Sequence, residues 1–227
     1  MREKEGRVYT DEVLRVLPAI DPASPLAKEW KVRGRTLTRL VQHLQQLPPQ
    51  QKILDLGCGN GWMSHHFSHL PGAEVTGMDL NTAELQQARR VFADCENLQF
   101  LEKNIFEPQA STFDVVCIGG AVQYFPDLSK LVGRLRELLS ENGEIHIYDS
   151  PFYREAERPA AKARSVAYYE KMGFPALAGC YFQPSIQEME RLGGEILYQP
   201  NTFFRRFRRK ALQEVDSPFI WWRLRKS

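Results

Sequence analysis

A short glycine-rich stretch carries the residues whose types and spacing best suit ligand chemistry. Asp55 stands in an apolar run typical of a buried strand, and glycines follow at positions 57, 59 and 61, just before a helix-like segment, 63–70. A glycine lets the backbone approach a ligand closely, because it has no Cβ, and it adopts positive φ readily. The first turn of the next helix presents unpaired N–H groups. The pattern predicts a loop for a nucleotide-type cofactor.

The spacing of these glycines discriminates between types of nucleotide loop. A dinucleotide fingerprint, G-x-G-x-x-G, needs glycine where Trp62 stands, and an indole there would obstruct the close helix–strand packing that the third glycine permits. A phosphate loop of the form G-x-x-x-x-G-K-[ST] is absent. Residues 55–61, D-L-G-C-G-N-G, instead resemble motif I of the class I S-adenosylmethionine-dependent methyltransferases.

A second acidic residue closes the next strand-like segment, 74–79. The carboxylate of Asp79 can accept hydrogen bonds from two ribose hydroxyls, a role that NAD-dependent enzymes also use. Capping of the following helix is the alternative for this residue. Because Asn81 already provides a cap, with Glu84 three residues later, we expect Asp79 to bind ribose.

The resemblance covers about residues 50–150 and implies roles for further positions. Asn104 stands where the family usually has an aspartate beside the adenine, and Gly119 ends the fourth strand-like segment, where the family's reaction centre lies. Residues 121–128, A-V-Q-Y-F-P-D-L, resemble a run common in small-molecule methyltransferases of this class. The residues expected to contact S-adenosylmethionine are Asp55, Gly57, Cys58, Gly59, Asp79, Leu80, Asn104, Ile105 and Gly119.

The resemblance also implies methyl transfer to a small molecule at O, N or C, with catalysis mainly by positioning. Near the substrate we expect Gln123, Tyr124, Tyr153 and Arg164, whereas spacing marks no residue as the catalytic base. Residues 150–183 mix basic and aromatic side chains, which would suit an anionic or aromatic substrate. A solvated helix face with inward-packed tyrosines explains the same mixture equally well.

Other functions remain open at this stage. RNA or protein methylation would rest on the basic run Arg205–Lys210, although the small net charge favours a solvated connection there and binding of nucleic acid is not expected. A catalytically silent S-adenosylmethionine-binding module would keep the loop but lack an acceptor site. A NAD-dependent oxidoreductase is disfavoured by Trp62.

No metal site is expected from the residue spacing. His65 and His69 share a helix face at i, i+4, but no H-E-x-x-H pattern and no third ligand accompany them. The metal-dependent catechol type needs carboxylates at the ends of strands four and five. Asp149 fits the fifth strand, but Gly119 and Gly120 offer no carboxylate at the fourth.

The elements that must position these residues follow from hydrophobic periodicity. Strand-like and helix-like segments alternate from residue 53 onward, which predicts a parallel sheet covered by helices. Segments 195–199 and 219–224 are expected to close the sheet as an antiparallel pair. The predicted class is α/β, a Rossmann-like seven-stranded sheet, parallel with an antiparallel last strand, sandwiched by helices. Asn142-Gly143 is expected to turn into the fifth strand.

A single domain is expected over residues 1–227. Residues 1–49 would form an N-terminal helical extension, helical over about 27–47, and residues 150–183 a substrate-covering insertion. With 43% hydrophobic and 26% charged residues and a net charge of +2, neither disorder nor wholesale nucleic-acid or membrane binding is expected. Four scattered cysteines and an N-terminus without a signal peptide favour a reduced, cytoplasmic protein. The sequence predicts no oligomeric state.

Overall fold

A seven-stranded sheet forms the frame of the molecule, as predicted. The computed structural model describes residues 2–200 and 215–226 and places the strands in the order β3-β2-β1-β4-β5-β7-β6. In chain order they are β1 (Lys52–Leu56), β2 (Glu74–Asp79), β3 (Leu98–Glu102), β4 (Phe113–Gly119), β5 (Leu139–Tyr148), β6 (Glu195–Tyr198) and β7 (Trp221–Arg225). The pairings from β3 through β5 are parallel, whereas β7 runs antiparallel to both β5 and β6.

Seven α-helices accompany the sheet in the described part of the chain. They are α1 (Asp11–Val16), α2 (Ala27–Leu44), α3 (Trp62–Ser68), α4 (Thr82–Val91), α5 (Leu128–Leu138), α6 (Arg158–Met172) and α7 (Ile186–Arg191). Side chains of Asn81, Asp127 and Ser185 accept hydrogen bonds from the third residue of α4, α5 and α7, and the first of these caps was predicted. None of these helices has the length and apolar character that crossing a membrane requires.

Alternate residues of the central strands enter two separate hydrophobic cores, one on each face of the sheet. In β1, Ile53 belongs to the core shared with α1–α4, and Leu54 belongs to the core shared with α5 and α7. Both side chains are fully buried. Each buried aliphatic side chain of this kind stabilises the fold by about 1.5–3 kcal/mol. The two-sided burial explains why strands such as β4 are almost continuously apolar.

Trp62 helps to fix the position of the glycine loop. The residue begins α3 and is buried, with its ring edge-on to Trp30 of α2 at 5.0 Å between centroids. Such aromatic pairs add about 0.5–1.5 kcal/mol to their burial. The position that a dinucleotide fold would give to glycine is therefore filled by a core side chain, which ties α2 to the start of α3.

The prediction of a turn at Asn142-Gly143 is wrong. Both residues lie inside β5, which begins at Leu139 and pairs there with Phe113 before the register shifts. A Cβ on Gly143 would lie 3.1 Å from the carbonyl oxygen of Phe113, so the glycine permits a close backbone approach within the strand.

The helices outside the sheet region differ more from the prediction. Helix α2 ends at Leu44 instead of about residue 47, and α1 was not predicted. The segment 150–183 contains the 15-residue helix α6, together with short 3₁₀ turns. Helix α6 buries only Ala161 and Tyr169 among its residues, so it lacks the apolar stripe by which a helix is recognised in a sequence.

Candidate functional site

The glycine loop lies at the carboxyl end of β1, and its backbone packs closely against side chains of neighbouring elements. Glycines 57, 59 and 61 all have positive φ, at +75°, +54° and +75°. A Cβ on the first would lie 2.5 Å from the Cβ of Ala121, and one on the third would lie 2.5 Å from the ring of Phe100. These positions therefore require glycine for both conformation and space, as the pattern predicts.

Asp79 lies beside this loop at the end of β2. One carboxylate oxygen accepts the N–H of Gly59 at 2.8 Å, and the other accepts those of Leu80 and Asn81 at 2.7 and 2.9 Å. The residue thus holds the loop against the strand end, while Asn81 caps α4. Because a carboxylate offers about four lone-pair sites and three N–H groups already occupy Asp79, about one acceptor site remains for a ligand hydroxyl.

Asp55 and Cys58 lie beneath the loop instead of facing its open side. The carboxylate of Asp55 is buried and accepts the Ser64 hydroxyl at 2.6 Å, which links β1 to α3. Burial raises the pKa of Asp55 to about 6, and the nearby charge of Asp79 adds to this effect. Burial also raises the pKa of the Cys58 thiol well above its ordinary value, so this thiol is not a nucleophile.

The raised pKa of Asp55 predicts a pH dependence of stability. The folded state binds the proton of the Asp55 carboxyl more tightly than the unfolded state does. The stability that this protonation contributes is therefore complete below the unfolded pKa of 3.8 and is lost as pH rises through 6. Asp55→Asn keeps an acceptor for Ser64 but removes the charge. In urea unfolding, we expect the free energy of unfolding of the variant, relative to that of wild type, to rise by about 1–2 kcal/mol from pH 5 to pH 7.5. A constant difference would contradict the buried charge.

The loops after β2 and β3 contribute exposed apolar side chains to the same edge. Leu80 is 65% exposed and Phe106 is 39% exposed. Asn104 is exposed, and its Oδ1 accepts the N–H of Phe106 at 3.1 Å. Ile105 is only 2% exposed and packs in the core, so the apolar surface after β3 comes from Phe106, which the sequence analysis did not single out.

The end of β4 brings a second pair of glycines and Gln123 to this edge. A Cβ on Gly119 would lie 2.7 Å from the ring of Tyr148, and Gly120 has φ +68°. Gln123 is buried and donates to the carbonyl of Gly120 at 2.6 Å. Its Oε1 is buried and has no donor among the described residues.

Tyrosines from three elements meet next to Gln123. Tyr124 is 51% exposed and lies edge-on to Tyr181 at 5.9 Å, and Tyr181 lies 5.8 Å from Tyr169 of α6. Burial raises the pKa of Tyr181 to about 12, so its phenol is neutral. Tyr153 is half-buried, and its backbone forms an isolated parallel β-bridge with that of Ser185. We call Tyr124, Tyr153, Tyr169 and Tyr181 the tyrosine wall.

Residues 2–7, here called the N-terminal strap, connect α4 to α6. Arg2 pairs with Glu84 of α4 at 3.1 Å, and Glu5 accepts the hydroxyl of Tyr168 at 2.5 Å. Glu84 is itself close to the glycine loop, since a Cβ on Gly59 would lie 2.8 Å from its carboxylate. Arg164 is exposed on α6, one helical turn before Tyr168.

A cluster centred on β5, a few residues before its end at Tyr148, contains metal-ligand residue types. The carboxylate of Glu144 lies 2.9 Å from Nε2 of His43 and 3.3 Å from Nε2 of His146. The indole N–H of Trp221 donates to Nδ1 of His146 at 3.2 Å, so the proton of a neutral His146 is on Nε2. This nitrogen lies near the Glu144 carboxylate but forms no hydrogen bond among the described residues. Arg223 also pairs with Glu144, at 3.2 Å. The arrangement suits a hydrogen-bonded ion-pair network and opposes a cation.

This geometry predicts that metal removal has no effect on stability. Dialysis against EDTA is expected to leave the thermal unfolding midpoint unchanged, and added Zn²⁺ is not expected to raise it, because a metal that binds only the folded state would stabilise it. Differential scanning fluorimetry of dialysed and zinc-supplemented protein measures this. A midpoint that falls on chelation and recovers with Zn²⁺ would show that the His43, Glu144 and His146 cluster holds a metal.

The fold and the site together define a class of protein. A Rossmann-like sheet carries at one edge a three-glycine loop, a strand-end carboxylate and exposed apolar side chains, which is an arrangement for a nucleoside-containing ligand. A family model for a methyltransferase domain matches residues 48–198. The chain belongs to this methyltransferase domain family.

Individual relatives agree with the family assignment. Demethylmenaquinone methyltransferase from Chlorobaculum tepidum is 31% identical over 153 residues, which cover 67% of this chain and 60% of that protein. Methyltransferase phqN from Penicillium fellutanum is 25% identical over 184 residues, covering 70% of this chain and 55% of that protein. The match thus spans somewhat more than half the length of these curated relatives.

The solved structures show the same fold at low sequence identity. The structure of geranyl diphosphate C-methyltransferase from Streptomyces coelicolor A3(2), in complex with Mg²⁺, geranyl-S-thiolodiphosphate and S-adenosyl-L-homocysteine, matches with a TM-score of 0.64 at 14% identity. The match covers 91% of this chain and 83% of that chain. It extends the likeness in fold to most of this chain, beyond the residues that the family model matches.

Proposed function

We propose that this protein transfers a methyl group from S-adenosylmethionine to a small-molecule acceptor. The observation that carries the proposal is that the glycine loop and Asp79 lie together at one edge of the sheet, where the N–H of Gly59 donates a hydrogen bond to the Asp79 carboxylate. Membership of the methyltransferase family supports the reaction type. S-adenosyl-L-homocysteine in the fold relative from Streptomyces coelicolor A3(2) supports the cofactor.

The residues at this edge fit the parts of S-adenosylmethionine. Asp79 has acceptor capacity for one ribose hydroxyl, on the oxygen that accepts only Gly59. Leu80 and Phe106 offer exposed apolar surface to an adenine ring, and Asn104 lies on the same loop as Phe106. Glycines 57 and 59 let the rest of the cofactor pass close to the backbone.

Catalysis in this proposal comes chiefly from positioning. The bound cofactor supplies a methyl group already activated by a sulfonium, so the protein must hold the acceptor in line with it. Favourable alignment of this kind is worth up to about 7–11 kcal/mol. Gln123 and Tyr124 follow the end of β4 in a short 3₁₀ turn, and their proposed role is to orient the acceptor. Deprotonation by a protein group is needed only for acceptors that lose their proton with difficulty.

The cover of the substrate site is proposed to come from the N-terminal extension, 1–49, and the insertion, 150–183. The contacts of the strap with α4 and α6 support this role, because they connect the cofactor side of the sheet edge to the helix that carries part of the tyrosine wall. The aromatic rings of that wall favour an aromatic or apolar acceptor body. An anionic acceptor would depend on basic residues such as Arg164. The run Arg205–Lys210 lies outside the described residues.

A methyl-transfer assay tests the proposal. Purified protein with methyl-labelled S-adenosylmethionine and a panel of phenols, amines and carboxylic acids should form S-adenosylhomocysteine and labelled product in equal amounts. Structured RNA and a protein extract serve as competing acceptors. Labelling of RNA that declines steeply with salt would support the nucleic-acid alternative instead. Tight cofactor binding with no labelled product from any acceptor would identify a silent binding module.

A further inference from the structure

The carboxylate of Asp79 has too few free acceptor positions for both hydroxyls of a ribose. Its Oδ1 accepts the N–H groups of Leu80 and Asn81, and its Oδ2 accepts the N–H of Gly59. Because each carboxylate oxygen has two lone pairs, Oδ1 is filled and Oδ2 keeps one position. A ribose carries two hydroxyls on adjacent carbon atoms, so a ribose bound to Asp79 has a second hydroxyl for which this residue offers no acceptor.

Glu84 is a second carboxylate beside the glycine loop. It lies in the first turn of α4, and a Cβ on Gly59 would lie 2.8 Å from its Oε2. The glycine that donates to Asp79 is thus also the one that Glu84 adjoins. Burial raises the pKa of Glu84, the guanidinium of Arg2 opposes this effect, and the nearby charge of Asp79 adds to it. The two carboxylates are therefore close enough to interact.

Glu84 keeps acceptor positions in spite of its ion pair with the N-terminal strap. Nε of Arg2 lies 3.1 Å from Oε1, and Nη2 of the same arginine lies 3.4 Å from Oε2. These contacts use one lone pair on each oxygen and leave one on each. The side chain of Arg2 is 51% exposed and that of Glu84 is 16% exposed, so the arginine lies on the solvent side of the pair. It compensates the charge of the carboxylate without filling its acceptor positions.

We propose that Glu84 accepts a hydrogen bond from one ribose hydroxyl of the adenosyl cofactor, while Asp79 accepts one from the other. The inference rests on the proposed function, because it assigns a role within the same cofactor site. The oxygens next to Gly59 are Oδ2 of Asp79 and Oε2 of Glu84, and each has one free lone pair. A diol that bridges them covers the backbone of this glycine, where a Cβ would otherwise stand.

A pair of carboxylates at this position selects for an unmodified ribose. A phosphate on either hydroxyl would bring negative charge towards both carboxylates and would remove one donor. Hydrogen bonds to an ionised acceptor are stronger than those between neutral groups, so the loss of either hydroxyl is costly. The pair therefore favours the free diol over a ribose that is phosphorylated or that lacks a hydroxyl.

A purely structural role for Glu84 is the alternative. In that case its pair with Arg2 only fastens the N-terminal strap to α4. The two roles differ in what they predict for cofactor analogues. A fastening role affects every adenosyl ligand alike, whereas the effect of a hydrogen bond disappears together with the hydroxyl that donates it.

Calorimetry with S-adenosylhomocysteine and its 2′-deoxy and 3′-deoxy analogues separates these roles. Wild-type protein is expected to bind each analogue at least about tenfold more weakly than the parent compound. Glu84→Gln is expected to weaken binding of the parent compound by about 10- to 30-fold, but to weaken binding of one of the two analogues by less than about twofold. That analogue identifies the hydroxyl that Glu84 binds.

Two further variants serve as controls. Arg2→Ala keeps the Glu84 carboxylate and is expected to weaken binding of all three ligands by no more than about fivefold, because ion pairs with an exposed partner contribute little. Glu195→Gln also removes a carboxylate that pairs with an arginine, Arg223 at 3.1 Å. Because Glu195 lies in β6, at the far edge of the sheet, this variant should bind all three ligands as wild type does.

The results distinguish failure of this inference from failure of the proposed function. A loss of affinity by the same factor for all three ligands in Glu84→Gln, or no loss for the parent compound, would overturn the role of Glu84 and leave the cofactor assignment intact. Equal binding of the parent compound and either analogue by wild type would do the same without any variant. Failure of wild type to bind S-adenosylhomocysteine would overturn both the proposed function and this inference.

Discussion

Gly57→Ala is expected to abolish binding of S-adenosylhomocysteine and to lower the free energy of unfolding by about 2–6 kcal/mol. The new Cβ would lie 2.5 Å from the Cβ of Ala121, an overlap that costs about 1–3 kcal/mol where the core cannot shift. The residue also has φ +75°, and a non-glycine residue held there costs about another 1–3 kcal/mol. Relief of the clash moves the loop away from the ligand. Calorimetry and urea unfolding measure the two effects.

Gly133→Ala is the matched control for this substitution. Gly133 lies in α5, and a Cβ there meets nothing within 4 Å. Alanine is favoured over glycine in a helix, so the control should gain about 0.5–1 kcal/mol of stability and bind the homocysteine normally. Full ligand binding by a stably folded Gly57→Ala protein would show that the loop does not hold the cofactor.

Asp79→Asn is expected to weaken cofactor binding by about 10- to 100-fold, while the protein remains folded. The substitution keeps a carbonyl oxygen that can accept the N–H groups of Leu80 and Asn81, but its NH₂ group then faces the N–H of Gly59, and the charge that strengthens hydrogen bonds to the ribose is lost. Hydrogen bonds to charged groups contribute about 1.5–3 kcal/mol, which corresponds to this loss. Calorimetric titration with S-adenosylhomocysteine gives the ratio of dissociation constants directly.

Asp114→Asn controls for the loss of a hydrogen-bonded carboxylate. Asp114 lies near the start of β4 and accepts the backbone N–H of Lys52 at 2.9 Å and the hydroxyl of Ser140 at 2.7 Å. Its environment resembles that of Asp79, but it lies at the other edge of the sheet. The control should bind the cofactor as wild type does. Unchanged affinity in Asp79→Asn would place the ribose elsewhere.

The parts of the fold that the sequence predicts are those determined by local pattern. Strands β1, β2 and β4 show apolar runs between turn residues, and Asn81 shows capping chemistry, so their positions were correct to within a residue or two. The glycine requirement of the loop was also predictable, because positive φ and close packing act on the residue itself.

The parts that the sequence does not predict depend on contacts between distant segments. Thr36, Asp149 and Ser217 come from three separate elements, and only the folded sheet brings them together. Similarly, whether Ile105 or Phe106 faces outward depends on the exact path of the loop after β3, which apolar character alone does not distinguish. The tyrosine wall needs α6, whose weak periodicity hides it in the sequence.

The most direct test of the central claim is calorimetric titration of the wild-type protein with S-adenosylmethionine, S-adenosylhomocysteine and NAD. The loop geometry, the carboxylate of Asp79 and the buried Trp62 predict saturable binding of both adenosyl ligands at one site and no measurable binding of NAD. Tight binding of NAD, without binding of either adenosyl ligand, would contradict the assignment of this site to a methyl donor.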